Sequence, residues 1–291
     1  MTLRDAIAAA TSQLSADLRF RDTATRDAEL LMLHTLQITR VTVLAHPGRE
    51  LTPDQQALYE NNIARRLRHE PIQYITGQQE FYGLNFDVNP AVLIPRPETE
   101  HLVEAVLKLS PTNEPLKIAD VGTGSGILAI TLALHLPCAE ITALDISTEA
   151  IAVARRNAEI HNVADRIRFL QSNLLSAVGR MAEAFDAIVS NPPYVPERDR
   201  HTLHPEVRDY EPATALFAGE TGLDIYRRLI PQAHTTLKPD GLLALEIGHG
   251  QQGAIAALLL HQWSNVSFIN DLQLIPRIAL ARRPANPATI R

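Results

Sequence analysis

The sequence contains very little cysteine, since Cys138 is the only one in 291 residues. An intrachain disulfide therefore cannot form, and a cysteine-rich zinc or iron–sulfur site is excluded. Such a composition is typical of a reducing compartment, so we expect a cytoplasmic protein in which Cys138 is buried and inert. The 11 histidines show no His-Glu-x-x-His spacing, and we expect no metal site.

Long apolar runs are also missing. No segment approaches the roughly 18 apolar residues that cross a bilayer, so we expect no membrane partner. The apolar stretch at residues 6–10 is too short for a secretory signal. Basic residues are not in excess either: 27 lysines and arginines against 33 aspartates and glutamates give a net charge of −6. This balance argues against an electrostatic grip on nucleic acid by the whole chain.

The length and patterning predict two domains, with about 150 residues per domain as a general guide. Residues 1–75 predict a small helical domain, because apolar residues recur at helical spacing from Leu3 to Leu14 and from Ala28 to Leu36. Residues 76–97 alternate large apolar and polar residues around Gly83, which predicts a β-hairpin linker.

A third helix of the N-terminal domain is expected to begin at Thr52. The sequence Thr-Pro-Asp-Gln supplies an N-cap, a proline at the first helical position and a capping-box glutamine. We expect the inner face of this helix to carry Ala57, Ala64 and Leu67. A solvated face is expected for its arginine cluster, Arg65, Arg66 and Arg68.

Residues 98–291 alternate strands with helices, which predicts an α/β domain. A mostly parallel sheet with helices on both faces follows from this alternation. Strands are expected at residues 116–121, 141–144, 167–170, 185–189, 242–245 and 278–281.

A glycine-rich loop follows the first of these strands. It contains Gly122, Thr123, Gly124, Ser125 and Gly126 and leads into an apolar helix. Glycines there allow a tight turn and a close approach of the backbone to a ligand.

Asp145 ends the next strand, close to the separation of about 20 residues at which a carboxylate meets ribose hydroxyls. The Gly-x-Gly-x-Gly spacing and Asp120, two positions before the first glycine, favour S-adenosylmethionine over a dinucleotide. In a nucleoside site the loop after the third strand would flank the adenine. There Asn173 can bond to the exocyclic amine and Leu174 can pack on the ring.

The fourth strand ends in Asn191, Pro192, Pro193 and Tyr194, at the same edge of the sheet as the glycine loop. Two prolines fix the backbone and remove two N–H donors, so acceptor atoms predominate: the Asn191 side-chain oxygen and the Pro192 carbonyl. Two acceptors suit a planar –NH2 group, whose hydrogens they orient so that the nitrogen lone pair faces an incoming methyl group. Tyr194 offers a flat ring to the adjoining group.

Together these motifs resemble class I S-adenosylmethionine-dependent methyltransferases that act on planar nitrogens. More narrowly, the chain is similar to the bacterial release factor glutamine methyltransferases, the HemK/PrmC family, over nearly its whole length. The resemblance extends to Phe81-Tyr82-Gly83, to the segment from Leu93 to Glu100, to Glu211-Pro212 and to Glu246-Ile247-Gly248. It implies a Rossmann-like, mostly parallel seven-stranded sheet with one antiparallel edge strand.

The resemblance also implies the substrate and the site. The substrate is the glutamine of the Gly-Gly-Gln motif of class 1 release factors, and no direct nucleic-acid contact or oligomer is expected. Carried over by position, residues 122–126, Asp145, Asn173, Leu174 and Asn191 contact S-adenosylmethionine. Residues 191–194 hold the glutamine, with Asn191, Pro192 and Tyr194 as catalytic residues. One departure is the loop Ser172-Asn173-Leu174, where relatives often have Ser-Asp-Trp, so stacking on the adenine should be weaker.

Three alternatives stay open at this point. A sister enzyme that methylates glutamine on a ribosomal protein would share the core. A DNA adenine methyltransferase would need a basic cleft and a target-recognition region, which the net charge of −6 argues against. A regulatory module would bind the cofactor without catalysis. Roles are also open for Arg96 and Glu98, at the substrate mouth or in a salt bridge or helix cap, and for Glu246, near the cofactor or structural.

Overall fold

The computed structural model describes residues 1–178 and 184–285. The chain forms two compact units. The helical unit contains Met1–Gln78 together with His204–Tyr210, and the sheet unit contains Gln79–Leu203 and the chain from Glu211 onward. No sequence pattern pointed to the short second segment of the helical unit.

The helical unit has the predicted helices, and its N-terminal residues pack around a core that includes Leu3, Leu14, Phe20, Leu31 and Tyr59. Its helices are α1 (Leu3–Ser15), α2 (Ala24–Leu36), α3 (Arg40–Ala45), α4 (Pro53–Leu67) and α5 (Ile72–Thr76).

The start of α4 is the predicted capping box. Gln55 N–H donates to Thr52 Oγ1 at 3.2 Å, and Thr52 N–H donates to Gln55 Oε1 at 3.1 Å. Because the hydroxyl satisfies a helix N–H that has no intrahelical partner, we expect Thr52→Ala to lower the free energy of unfolding by about 1 kcal/mol. Chemical denaturation measures this, and Thr52→Ser is the control that should keep most of the stability.

The predicted inner face of α4 is wrong. Ala57 and Leu67 are exposed and Ala64 is half-buried, whereas Tyr59, Asn62, Ile63 and Arg66 are buried. The buried face meets α2 through contacts that are distant in sequence, among them a hydrogen bond from Tyr59 to the Ala28 carbonyl and an ion pair.

Arg66 therefore does not lie on a solvated face. Its Nε donates to the fully buried Asp27 at 2.9 Å, and its guanidinium lies 4.4 Å from the ring centroid of Phe20. The pair turns this face of the helix toward α2.

The predicted hairpin consists of β1 (Gln78–Phe81) and β2 (Leu84–Asp87), with the turn at Tyr82 and Gly83. Phe81 and Phe86 are fully buried in the first core cluster of the sheet unit. Cys138 was expected to be buried, but it is exposed. It lies in a turn whose buried positions are occupied by Leu136 and Ala139.

In the described residues, seven strands form the main sheet, in the order β5-β4-β3-β6-β7-β9-β8. They are β3 (Lys117–Val121), β4 (Glu140–Asp145), β5 (Ile167–Gln171), β6 (Phe185–Ser190), β7 (Leu237–Glu246), β8 (Ser264–Asn270) and β9 (Pro276–Arg282). The sheet is mostly parallel, as predicted. The expected antiparallel edge strand is corrected, because β9 is antiparallel to both neighbours and lies between β7 and β8, so that β8 forms the edge. No strand was predicted at β8, since its largely exposed side chains give no clear apolar pattern.

The remaining helices are α6 (Glu100–Leu109), α7 (Ile127–His135), α8 (Thr148–Ile160), α9 (Pro205–Tyr210), α10 (Ala213–Leu216), α11 (Asp224–Thr236) and α12 (Gln252–Leu259). Two buried clusters pack on the sheet: one includes residues of α6, α7 and α8, and the other residues of α11 and α12. Across the described ranges, no helix is both long and apolar enough to cross a membrane.

Candidate active site

A cavity of about 330 Å³ opens where β3, β4, β5 and β6 end. This volume suits a ligand of nucleoside size. The structure brings together most of the residues predicted from the sequence, and the lining includes Gly122, Thr123, Gly124, Ser125, Asp145, Asn173, Leu174, Asn191, Pro192 and Pro193. Gly126 and Tyr194 are not part of this lining.

The glycine loop is shaped by its backbone. Gly122 has φ +76° and Gly124 has φ +55°, a region that side chains rarely adopt. Gly122 N–H and Thr123 N–H both donate to the Leu144 carbonyl, at 2.7 and 2.9 Å. The turn therefore stays close to the end of β4.

Gly126 has a packing role and is not among the residues that line the cavity, so its cofactor contact stays a prediction. A Cβ added there would lie 2.9 Å from Ile130 Cδ1 and 3.1 Å from Ala154 Cβ. Its glycine therefore lets the start of α7 pack against α8, away from the cavity.

The buried Asp120 stabilises the glycine loop by hydrogen bonds. Its Oδ2 accepts hydrogen bonds from Thr123 Oγ1 at 2.6 Å and from Ala129 N–H at 3.1 Å. Burial raises the pKa of Asp120 to about 7, and these two hydrogen bonds act in the opposite direction. Its carboxyl thus links the loop to the first turn of α7.

Asp145 is fixed by two backbone donors. Gly124 N–H donates to Oδ2 at 2.9 Å, and Ser147 N–H donates to Oδ1 at 2.9 Å. A carboxylate has about four acceptor positions, so each oxygen retains one, and Asp145 lines the cavity.

The loop after β5 is contacted by a residue of α11 that no sequence motif indicated. Arg228, from α11, lines the cavity and donates to Asn173 Oδ1 at 2.6 Å. The Asn173 oxygen predicted to meet an amine therefore already accepts one hydrogen bond. Leu174 lines the cavity with φ +55° and also packs against the second core cluster. The sequence offered no local indication of Arg228, which lies more than fifty residues further along the chain.

The corner at residues 191–194 is held from behind. Asn191 Nδ2 donates to Thr99 Oγ1 at 3.0 Å. The Tyr194 carbonyl accepts from Gln251 Nε2 at 2.9 Å, and the Tyr194 hydroxyl donates to Glu246 Oε1 at 3.3 Å. The Tyr194 ring packs against the second core cluster and is not among the residues that line the cavity, so its contact with the substrate stays a prediction. Burial and the neighbouring Glu246 raise the pKa of Tyr194.

Glu246 lies behind the corner and outside the cavity lining. It is 1% exposed, and its Oε2 accepts from Thr99 Oγ1 at 2.7 Å. Burial raises the pKa of Glu246 to about 7, although hydrogen bonds from Thr99 and Tyr194 lower it. Arg96, whose role was open, forms a salt bridge with the buried Glu211 at 2.5 Å.

Comparison with known proteins decides the family. A release factor glutamine methyltransferase of Koribacter versatilis is 46% identical over 288 residues, which cover 98% of this chain and 100% of that protein. The enzyme of the same name from Geobacter sulfurreducens is 41% identical over 81% of each chain. The chain belongs to the release factor glutamine methyltransferase family.

Two domain families match the same chain. The PrmC N-terminal domain matches residues 5–77, and the methyltransferase small domain matches residues 99–206. These matches confirm the resemblance that the motifs indicated. They also confirm that this member of the release factor glutamine methyltransferase family is a methyltransferase.

Solved structures support the fold. A methyltransferase from Pyrococcus furiosus aligns with a TM-score of 0.53 at 21% identity, over 77% of this chain and 99% of that one. The hMettl16 catalytic domain aligns with a TM-score of 0.55 at 16% identity, over 84% and 87%. Within residues 1–178 and 184–285, no group of three or more His, Cys, Asp or Glu side chains is placed to hold a metal ion.

Proposed function

We propose that this chain transfers a methyl group from S-adenosylmethionine to the side-chain amide nitrogen of the glutamine in the Gly-Gly-Gln motif of class 1 release factors. The observation that carries the proposal is the position of Asn191. It lines the cavity with its –NH2 group tied to Thr99, and its Oδ1 accepts no hydrogen bond from the described parts of the chain. The family relationship supports the same reaction.

The residues around the cavity fit this cofactor. The Asp145 carboxylate retains acceptor capacity for two ribose hydroxyls, and the glycine loop leaves space for close approach. The loop at Asn173 and Leu174 would flank the adenine, with Arg228 beside it. S-Adenosylmethionine, when bound, supplies a methyl group already activated by a sulfonium.

The corner orients the amide nitrogen of the substrate. Asn191 Oδ1 and the Pro192 carbonyl are acceptors for its two hydrogens, and proline at 192 and 193 leaves no N–H to compete. An amide lone pair is delocalised, so holding both hydrogens favours pyramidal nitrogen. In the transfer the nitrogen would form a bond to the methyl carbon as the methyl–sulfur bond breaks; the sulfur keeps that electron pair as a neutral thioether, and the nitrogen loses one proton to solvent. Positioning and electrostatics supply most of the acceleration.

The test is direct methylation. The purified chain is incubated with isotopically labelled S-adenosylmethionine and an unmodified class 1 release factor, and the label is mapped by mass spectrometry. We expect one methyl group, on the glutamine of Gly-Gly-Gln. A release factor with that glutamine replaced by alanine should take no label.

Parallel reactions address the alternatives. Ribosomal proteins and adenine-containing duplex DNA are incubated under the same conditions. Faster labelling of either than of the release factor would contradict the proposal. Cofactor binding without transfer to any protein would favour the regulatory module.

A further inference from the structure

Two hydrogen bonds connect the side chains of Glu246, Thr99 and Asn191 in series. Thr99 Oγ1 donates to Glu246 Oε2 at 2.7 Å and accepts from Asn191 Nδ2 at 3.0 Å. Thr99 is 0% exposed and Glu246 is 1% exposed, and neither lines the cavity. Of the three, only Asn191 can touch a ligand there.

When Glu246 is ionised, the two hydrogen bonds that join Asn191, Thr99 and Glu246 can have only one donor-to-acceptor direction. A carboxylate only accepts hydrogen bonds, and the hydroxyl of Thr99 carries a single hydrogen, which points to Glu246. Toward Asn191 the same oxygen can therefore only accept. The amide of Asn191 must turn its –NH2 group to Thr99, which leaves Oδ1 for the cavity.

The opposite orientation would impair the reaction described above. With the Asn191 amide turned by 180°, its –NH2 group would face the –NH2 group of the substrate, and two sets of donors would oppose each other. A buried carboxylate without a close ion pair is costly in a protein core, so its presence here calls for a role. Within residues 1–178 and 184–285, Glu246 forms no salt bridge.

We propose that Thr99 and Glu246 are positioning residues, which set the orientation of the Asn191 amide so that its oxygen accepts from the substrate amide. This inference rests on the proposed function and deepens it. Neither residue contacts substrate, and both act through Asn191.

The first test compares three substitutions at buried threonines. Thr99→Val keeps the shape and removes the hydroxyl, and we expect kcat for release factor methylation to fall by about 10- to 100-fold. Thr99→Ser restores the hydroxyl and should recover most of that loss. Thr131→Val is the matched control: Thr131 is also 0% exposed, and its hydroxyl has no partner among the described residues. We expect wild-type kcat from it.

Cofactor binding separates positioning from general damage. The dissociation constant for S-adenosylmethionine, measured by calorimetry without release factor, should change less than threefold in Thr99→Val. Thermal unfolding of each variant checks that the fold is intact. If Thr99→Val does not fold, Glu246→Gln decides the question.

The pH profile is a second measure. The groups that face Glu246 are Tyr194, Tyr226, Glu98 and Arg277. Below about pH 7 the protonated carboxyl can donate to Thr99, which frees the Thr99 hydroxyl to donate to Asn191 Oδ1 and reverses the direction of both hydrogen bonds. We therefore expect wild-type kcat to fall as the pH drops through 7, and Glu246→Gln to lose that step.

The outcomes are distinguishable. If wild-type enzyme labels the release factor glutamine but Thr99→Val is equally active, or binds the cofactor as poorly as it turns over, the positioning role is overturned. It is also overturned if Glu246→Gln keeps the wild-type pH step. If the wild type labels no such glutamine, the proposed function falls, and this inference falls with it.

Discussion

Replacing Asn191 with alanine is expected to lower kcat for release factor methylation by about 10²- to 10³-fold, the usual effect of removing one preorganised polar contact from a transition state. In the proposed reaction this side chain supplies the acceptor that orients the substrate amide, and its –NH2 group donates to Thr99 Oγ1 at 3.0 Å. Affinity for S-adenosylmethionine should stay within a few-fold of wild type, because Asp145 and the glycine loop are untouched. Steady-state kinetics and calorimetry measure the two quantities.

Asn113→Ala is the control for that experiment, since Asn113 is exposed in a loop far along the chain from the corner. It should behave as wild type. Equal losses of kcat and of cofactor affinity in Asn191→Ala would count against a role at the substrate amide.

Asp145→Ala is expected to raise the dissociation constant for S-adenosylmethionine by at least about tenfold, because hydrogen bonds to a charged group contribute about 1.5–3 kcal/mol each. The substitution also removes the partner of Gly124 N–H and of Ser147 N–H, so the glycine loop loses a support. At saturating cofactor, kcat should recover toward the wild-type value. Calorimetric titration is the measurement.

Asp145→Asn is a milder substitution that tests the same loss of cofactor affinity. It keeps one acceptor oxygen and most of the shape, so its affinity should lie between wild type and Asp145→Ala. Unchanged affinity in both variants would refute the assignment of Asp145 to the ribose.

Local patterns carried most of the fold. The capping box at Thr52 depends on four consecutive residues, and the strands that end at Val121 and Asp145 are short apolar segments with clear boundaries. The glycine loop and the corner at residues 191–194 follow such strands, so their convergence at one sheet edge follows from parallel topology alone. This is why most of the predicted site residues line one cavity.

Long-range contacts account for the rest. The inner face of α4 depends on Arg66 and Asp27, which lie far apart in sequence, and no helical periodicity reports such a pair. Thr99 and Glu246 are farther apart still, although both lie in segments that carry the family resemblance. Tyr194 was predicted at the substrate from its chemistry; its packing against the second core cluster was not indicated by the local sequence.

The position of β9 has a consequence for biosynthesis. β8 precedes β9 in the chain and leaves the ribosome before it, yet the backbone hydrogen bonds that join β8 to the sheet are made with β9. A nascent chain can pair the strands from β5 to β7 in the sheet. β8 then stays unpaired until β9 has also emerged. During that interval the edge of β7 that later pairs with β9 has unpaired backbone amides and carbonyls. This stage of synthesis is therefore the one most exposed to wrong strand pairing with another chain.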